Sequence, residues 1–296
     1  MLKYAVKEGD NMEALDKVLY NIKLKENVKD HMLYTLEEYK NYLESLKEIE
    51  KMDPQLAKSF FRLLKINELK ASQQMESEDS FLIDIGLGPI LDGSEKSSID
   101  IVTKYILKDK SLNNERLEKI HRIILRGTSD DKEKNYKIRT SKEDTYISEI
   151  SNGIERTLYV APKSEEVNSY LNYLYAFLDN NTNNELDVFL TPFLVHFYIS
   201  ALQPFNNGNT RLARLIQYGD IFKVSRKLLD YNLKQPALFL SKNYQLNCGN
   251  YRKMIANIVL DPSDENFNKW VNYNLDMTDE QLFCLNNDIA KIKRLR

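Results

Sequence analysis

The chain has 296 residues, with 42 lysines and arginines against 44 aspartates and glutamates, for a formal net charge of −2. That near-balance excludes a strongly basic nucleic-acid surface and an acidic disordered tail, and the length suffices for one large domain or two small ones with ample core. Nine glycines and seven prolines are few for this length, which predicts a mostly α fold. The two cysteines, Cys248 and Cys284, argue against a disulfide framework and suit a reducing compartment. The first residues lack an apolar signal core. The greasiest run, residues 188–202, is interrupted by Thr191, Pro192 and His196 and is too short for a bilayer. A cytoplasmic location is the expectation, and abundant Lys, Asn, Ile and Tyr fit an AT-rich, bacterial genome.

From residue 11 to about 69, apolar residues recur at helical spacing. Leu15, Val18, Leu19 and Ile22 form one face, Leu33, Leu36, Tyr39, Leu43 and Leu46 another, and Leu56, Phe60, Leu63 and Leu64 a third. Asp53 and Pro54 read as the N-cap and first residue of a new helix. Residues 83–98 hold Gly86, Gly88, Gly93 and Pro89 and read as a loop or lid. Residues 98–107 and 112–125 again read as helices, with His121 as a structural helix residue. Strand material is confined to 127–162, at 136–139, 145–147, 150–154 and 157–160, and Asn152-Gly153 is a hairpin turn signal. A helix over 165–178 and an Asn/Thr-rich loop over 180–184 follow. Further on, 261–264 reads as a turn and the chain from 275 as a linker helix.

Two apolar helical runs, 193–202 and 211–222, are joined by the polar loop Gln203-Pro204-Phe205-Asn206-Asn207-Gly208-Asn209-Thr210. Glycine and asparagine are the residues that tolerate positive φ, so the loop is built to bend tightly. A bent loop that feeds a helix start leaves backbone N–H groups pointing outward, backed by the helix dipole. Arg211 and Arg214, at i and i+3, stand on one face of the first turn. Amides and two guanidinium groups together suit a polyanion such as a nucleotide triphosphate. A plain helix corner, its arginines solvated or paired with carboxylates, is the alternative.

Phe205, Gly208, Asn209, Arg211 and Arg214 closely resemble the Fic (Fido) signature H-x-F-x-[DE]-G-N-G-R-x-x-R. His196-Phe197-Tyr198-Ile199-Ser200-Ala201-Leu202 resembles the lead-in to that signature. The chain departs from it in three places. Gln203 stands at the catalytic histidine, Asn207 at the acid that holds magnesium, and Thr210 at the second loop glycine. The resemblance implies a helical bundle with a β-hairpin flap, with an N-terminal helical region over 1–90, a core over 91–275 and a linker helix or tail over 276–296. It assigns nucleotide contacts to Asn207, Gly208, Asn209, Arg211 and Arg214, and a weak magnesium site to Asn207. Arg139 resembles the arginine that precedes the flap.

Residues 68–77 resemble the inhibitory helix [ST]-x-x-x-E-[GN] of one class of the family through Ser72 and Glu76, with Ser77 at the last position. The resemblance implies a Glu76–Arg214 ion pair that restrains the γ-phosphate of ATP. It also implies that a target protein docks along the flap, and it allows a homodimer. No nucleic-acid-binding module is recognised.

Protein adenylylation needs a base for the acceptor hydroxyl, stabilisation of the phosphoryl centre and a cation for the diphosphate. A Gln203 amide cannot take up a proton at neutral pH, and loss of a general base costs on the order of 10²–10⁴ in rate. Asn207 offers magnesium one neutral oxygen, where a carboxylate is preferred. Three readings follow. The first is a Fic-fold, ATP-binding protein related to adenylyltransferases (AMPylators) with impaired catalysis. The second is a nucleotidyl- or phosphotransferase that uses another base, and the third a non-catalytic interaction module.

Overall fold

The computed structural model describes residues 15, 17–19, 22–75, 112–126, 131–141, 144–151, 154–180, 184–229 and 234–294. In chain order the helices are α1 (Glu26–Met52), α2 (Pro54–Gln74), α3 (Asn114–Leu125), α4 (Ser164–Asn180), α5 (Leu190–Leu202), α6 (Asn209–Leu228), α7 (Ser241–Leu246), α8 (Cys248–Leu260) and α9 (Asp264–Arg294). Between α3 and α4 lies an antiparallel hairpin of β1 (Tyr146–Ser151) and β2 (Ile154–Val160), with a bulge opposite Ile147 and Ser148. The fold is mostly helical, as expected from the scarcity of glycine and proline. Asn152-Gly153, the expected turn, and the glycine-containing stretch 83–98 lie outside the described residues.

The apolar run read as helical over 193–202 forms α5, in which every residue from Thr191 to Leu202 is buried. A helix apolar on all sides must be wrapped by others. Here α6 returns against it, α4 and α8 cover other faces, and α9 brings Trp270, whose Nε1–H donates to Phe193 O at 2.9 Å. His196, at the centre of α5, sits among Tyr244, Tyr251 and Trp270 and shares a 2.7 Å hydrogen bond with the Tyr251 hydroxyl. Burial pushes its imidazole down to about 3, with Arg214 as a further cause, so it is a neutral core residue.

One expectation is corrected. Among the described residues, 136–139 pair with no strand, and their backbone bonds go elsewhere: Ile138 N–H to Glu118 Oε1 at 3.3 Å, and Arg139 N–H to Pro204 O at 2.9 Å. Residues 276–294, expected as a linker helix or tail, are helical. They continue α9, which runs beside α1 and buries Leu282, Leu285 and Ile289 at helical spacing. The two helices run parallel, tied by Lys25–Glu265 at one end and Lys293–Glu48 at 2.5 Å at the other. Asp53 caps α2 as read, its Oδ1 accepting from Gln55 N–H and Leu56 N–H at 3.0 Å each. No helix among the described residues is long and apolar enough to cross a membrane.

Candidate functional site at the turn between α5 and α6

The end of α5 leaves carbonyl groups without intrahelical partners, and distant side chains take them up. Ser200 O accepts from the Gln203 amide at 2.7 Å and from the Tyr159 hydroxyl of β2 at 3.2 Å. The same hydroxyl donates to Ala201 O. Leu202 O and Gln203 O accept from Arg139, at 3.4 and 2.7 Å, and Pro204 O from its backbone N–H. Arg139 also donates to Pro162 O beyond β2. Only 3% exposed, Arg139 staples the hairpin to the loop. A cation at the negative end of α5 is favoured by the helix dipole.

Gln203 occupies the left-handed region, with φ 50° and ψ 60°, the one non-glycine residue there among those described. Such a backbone costs roughly 1–2 kcal/mol outside glycine and persists only where its surroundings hold it. Both ends of the Gln203 amide supply that hold: Nε2–H donates to Ser200 O, and Oε1 accepts from Asn209 Nδ2–H at 2.8 Å. Asn209 clamps the other side of the loop, donating to Phe205 O and accepting from Phe205 N–H, each at 2.8 Å. It is 3% exposed, so its side chain serves the loop rather than facing outward.

Gly208 opens α6 at φ 74°. A Cβ there would lie 3.0 Å from Leu125 Cδ2 and 3.2 Å from His121 Nε2, both on α3. Gly208→Ala is therefore expected to cost about 1–3 kcal/mol through strain and crowding together, read as a lowered urea midpoint. His121, read from sequence as structural, supports the loop directly. Its ring stacks on Phe205 with centroids 3.7 Å apart and planes 11° apart, and its Nε2 lies 2.8 Å from Asn207 O. A carbonyl only accepts, so Nε2 carries the proton. Burial pushes this imidazole down to about 4, with Arg211 as a further cause.

Arg211 is half-buried, its Nη2 3.5 Å from the Cβ position of Gly208. Arg214 is 1% exposed and lies under α2. Its Nη2–H donates to Ser72 Oγ at 2.9 Å and to Ser72 O at 3.1 Å, and its Nε–H to Ser72 Oγ at 3.2 Å. Glu76 lies outside the described residues. One turn before Ser72 on α2, Glu68 is also buried, and it accepts from Ser241 N–H of α7 at 3.1 Å. The last turn of α2 is held further by Gln245 Nε2–H to Gln74 Oε1 at 2.7 Å and by Arg252, which donates to Met75 O at 3.1 Å and to Ser148 O of β1 at 3.5 Å. Asn207 is exposed. The donor set does not fit a tightly held magnesium ion: no carboxylate occurs between Gln203 and Arg214, and Asn207 brings a neutral amide. Among the described residues no group of three or more His, Cys, Asp or Glu is placed to hold a metal.

The arrangement thus assembles Gln203, Gly208, Asn209 and Arg211 at one turn and brings Ser72 onto Arg214. Residues 111–218 match the family model of the Fic/DOC family. A Fic domain-containing signaling protein from Bacteroides thetaiotaomicron shares the fold at a TM-score of 0.58 and 14% identity, over 86% of this chain and 97% of that one. A Fic-1 fragment from C. elegans aligns at 0.54 and 13% identity, over 86% and 73% of the two chains. A Fic family protein from Desulfovibrio desulfuricans aligns at 0.52 and 17%, over 84% and 74%. At these identities the likeness is one of fold. No curated protein matches the chain significantly.

Proposed function

Taking as premise the Fic/DOC domain that residues 111–218 match, we propose that this chain is a nucleotide-binding protein with impaired transferase chemistry. The observation that carries the reading is the locked amide of Gln203. At the position of the signature histidine, both ends of its side chain are spent on Ser200 O and Asn209, so it neither accepts a proton nor reaches out to an acceptor hydroxyl. The N-terminus of α6 with Arg211 and Arg214 offers positive charge to a triphosphate, ATP by resemblance. With no carboxylate in the loop, nucleotide binding should depend weakly on magnesium.

A target protein would add a strand beside the hairpin, the mode that exposed β-edges support. A cytoplasmic setting fits the two exposed, free thiols of Cys248 and Cys284.

Titration with ATP, with and without magnesium, tests the binding half: the expected result is saturable binding that changes little between the two. No binding in either would leave an interaction module. For the catalytic half, Gln203→His should raise transfer of α-labelled ATP to protein by on the order of 10² or more over the parent. A parent already as fast as this variant would overturn the impairment and favour a transferase with a different base.

A further inference from the structure

The loop between α5 and α6 contains the pair Asn207-Gly208. Asparagine before glycine leaves a side-chain amide open to its own backbone, because no Cβ stands between the next N–H and that side chain. Asn207 is exposed, while Gly208 beside it is buried. The carbonyl oxygen of Asn207, which shares its peptide group with Gly208 N–H, accepts from His121 Nε2–H at 2.8 Å. Fully buried and stacked on Phe205, His121 holds this donor in place. Arg211 Nη2 lies 3.5 Å from the Cβ position of Gly208, at the point where α6 begins.

We propose that Asn207 is a site of intramolecular deamidation, by which this fold turns an exposed amide of the loop into the carboxylate that the loop lacks.

The step starts with loss of the Gly208 N–H proton to hydroxide. The negative charge spreads through the peptide group onto Asn207 O, where His121 Nε2–H already points. Arg211 and the positive end of α6 favour the same charge. Gly208 N then attacks Asn207 Cγ. The new N–Cγ bond closes a succinimide, and the Cγ–Nδ2 bond breaks to release ammonia, which carries off a proton from water. Water next adds to Cγ, the N–Cγ bond breaks, and Gly208 N takes back a proton. One water is consumed and one ammonia released, with no change of oxidation state. Water attack at the main-chain carbonyl would give isoaspartate instead, but the buried His121 ring covers that carbonyl, whereas the side chain faces solvent. The product is therefore an aspartate at position 207 with the main chain unchanged. Its charge sits just before α6, where the helix dipole favours an anion.

One consequence rests on the reading of this turn as a nucleotide site. Magnesium is commonly bound by one or two carboxylates together with substrate phosphates. The converted loop should therefore bind ATP more tightly with magnesium, where the fresh loop is indifferent to it.

The test is peptide mass spectrometry of the full chain aged in buffer, beside the same chain aged in urea, which separates Asn207 from His121. In the folded parent, Asn207 should convert to aspartate at least as fast as in the unfolded chain. Folded His121→Phe keeps an aromatic ring against Phe205 without the donor, and it should convert roughly tenfold or more slowly. His121→Gln restores an N–H and should recover part of the rate. The comparison of folded with unfolded parent stands even where a variant fails to fold. Slower conversion in the folded parent than in urea, rates that ignore position 121, or isoaspartate as the main product would each overturn the proposal. ATP titrations then compare the fresh parent with Asn207→Asp, and affinity should rise with magnesium only in the latter. Equal magnesium dependence in both would overturn the role given to the carboxylate. Conversion as expected, with ATP bound by neither protein, would keep the modification and reject the nucleotide site.

Discussion

Replacing Arg139 with methionine should destabilise the fold by about 3 kcal/mol or more, because it strands buried carbonyl groups at about 1–3 kcal/mol each. The guanidinium serves Leu202 O, Gln203 O and Pro162 O at once, and at 3% exposure no bulk water stands in for it. Burial lowers its pKa, with Tyr159, Asp144 and Glu166 acting the other way, yet a guanidinium stays charged at any working pH. The charge sits at the carbonyl end of α5, so methionine also forfeits a favourable dipole interaction. Arg139→Lys keeps the charge but has no planar fork to span three acceptors, and it should recover only part of the loss. Urea denaturation with both variants checks this. A methionine variant within about 1 kcal/mol of the parent would show that the loop and hairpin hold together without the staple.

Acid should act on the fold in two opposing ways, one of them through its buried histidines. His196 and His121 are neutral in the folded chain, with values pushed down to about 3 and about 4 from an ordinary 6.5. The unfolded chain takes up two protons near 6.5 that the folded chain refuses. Their contribution is therefore complete above 6.5 and drains away as pH falls towards 4 and then 3, by several kcal/mol in total. Glu68 and Asp220 of α6 work in the opposite sense, since burial pushes each carboxyl up to about 7 and each gains a proton on folding, and over this range the two carboxyls offset the two histidines. Urea midpoints of the parent should therefore change little between pH 7 and roughly pH 4, whereas His196→Gln, weaker at neutral pH for lack of ring packing, should gain stability as pH falls over the same range. An equal slope in that variant would mean that His196 titrates with an ordinary value in the fold.

The reading of α5, α6 and the loop between them was available from residue order because its causes are local. An apolar run, a glycine at positive φ and arginines three apart act within a few residues of each other. The helix start at Asp53 and the hairpin pair were legible for the same reason. The supposed strand at 136–139 was misread because β-prone side chains announce extended backbone but not whether a partner strand lies beside it. That residues 276–294 pack on α1 was not legible, because that helix lies at the other end of the chain.

What the amino-acid order determined by itself was the helical character, the bend at Gly208 and the amide at position 203. Only tertiary structure decided that this amide is consumed, and by which neighbours. Arg139 reaches Gln203 across 64 residues, His121 reaches Asn207 across 86, Ser72 meets Arg214 across 142, and Glu68 meets Ser241 across 173. A lone carbonyl or carboxyl carries no mark in the sequence of the group that will satisfy it. That pairing is settled when the core closes, water leaves, and each buried polar atom must find a partner or pay its desolvation.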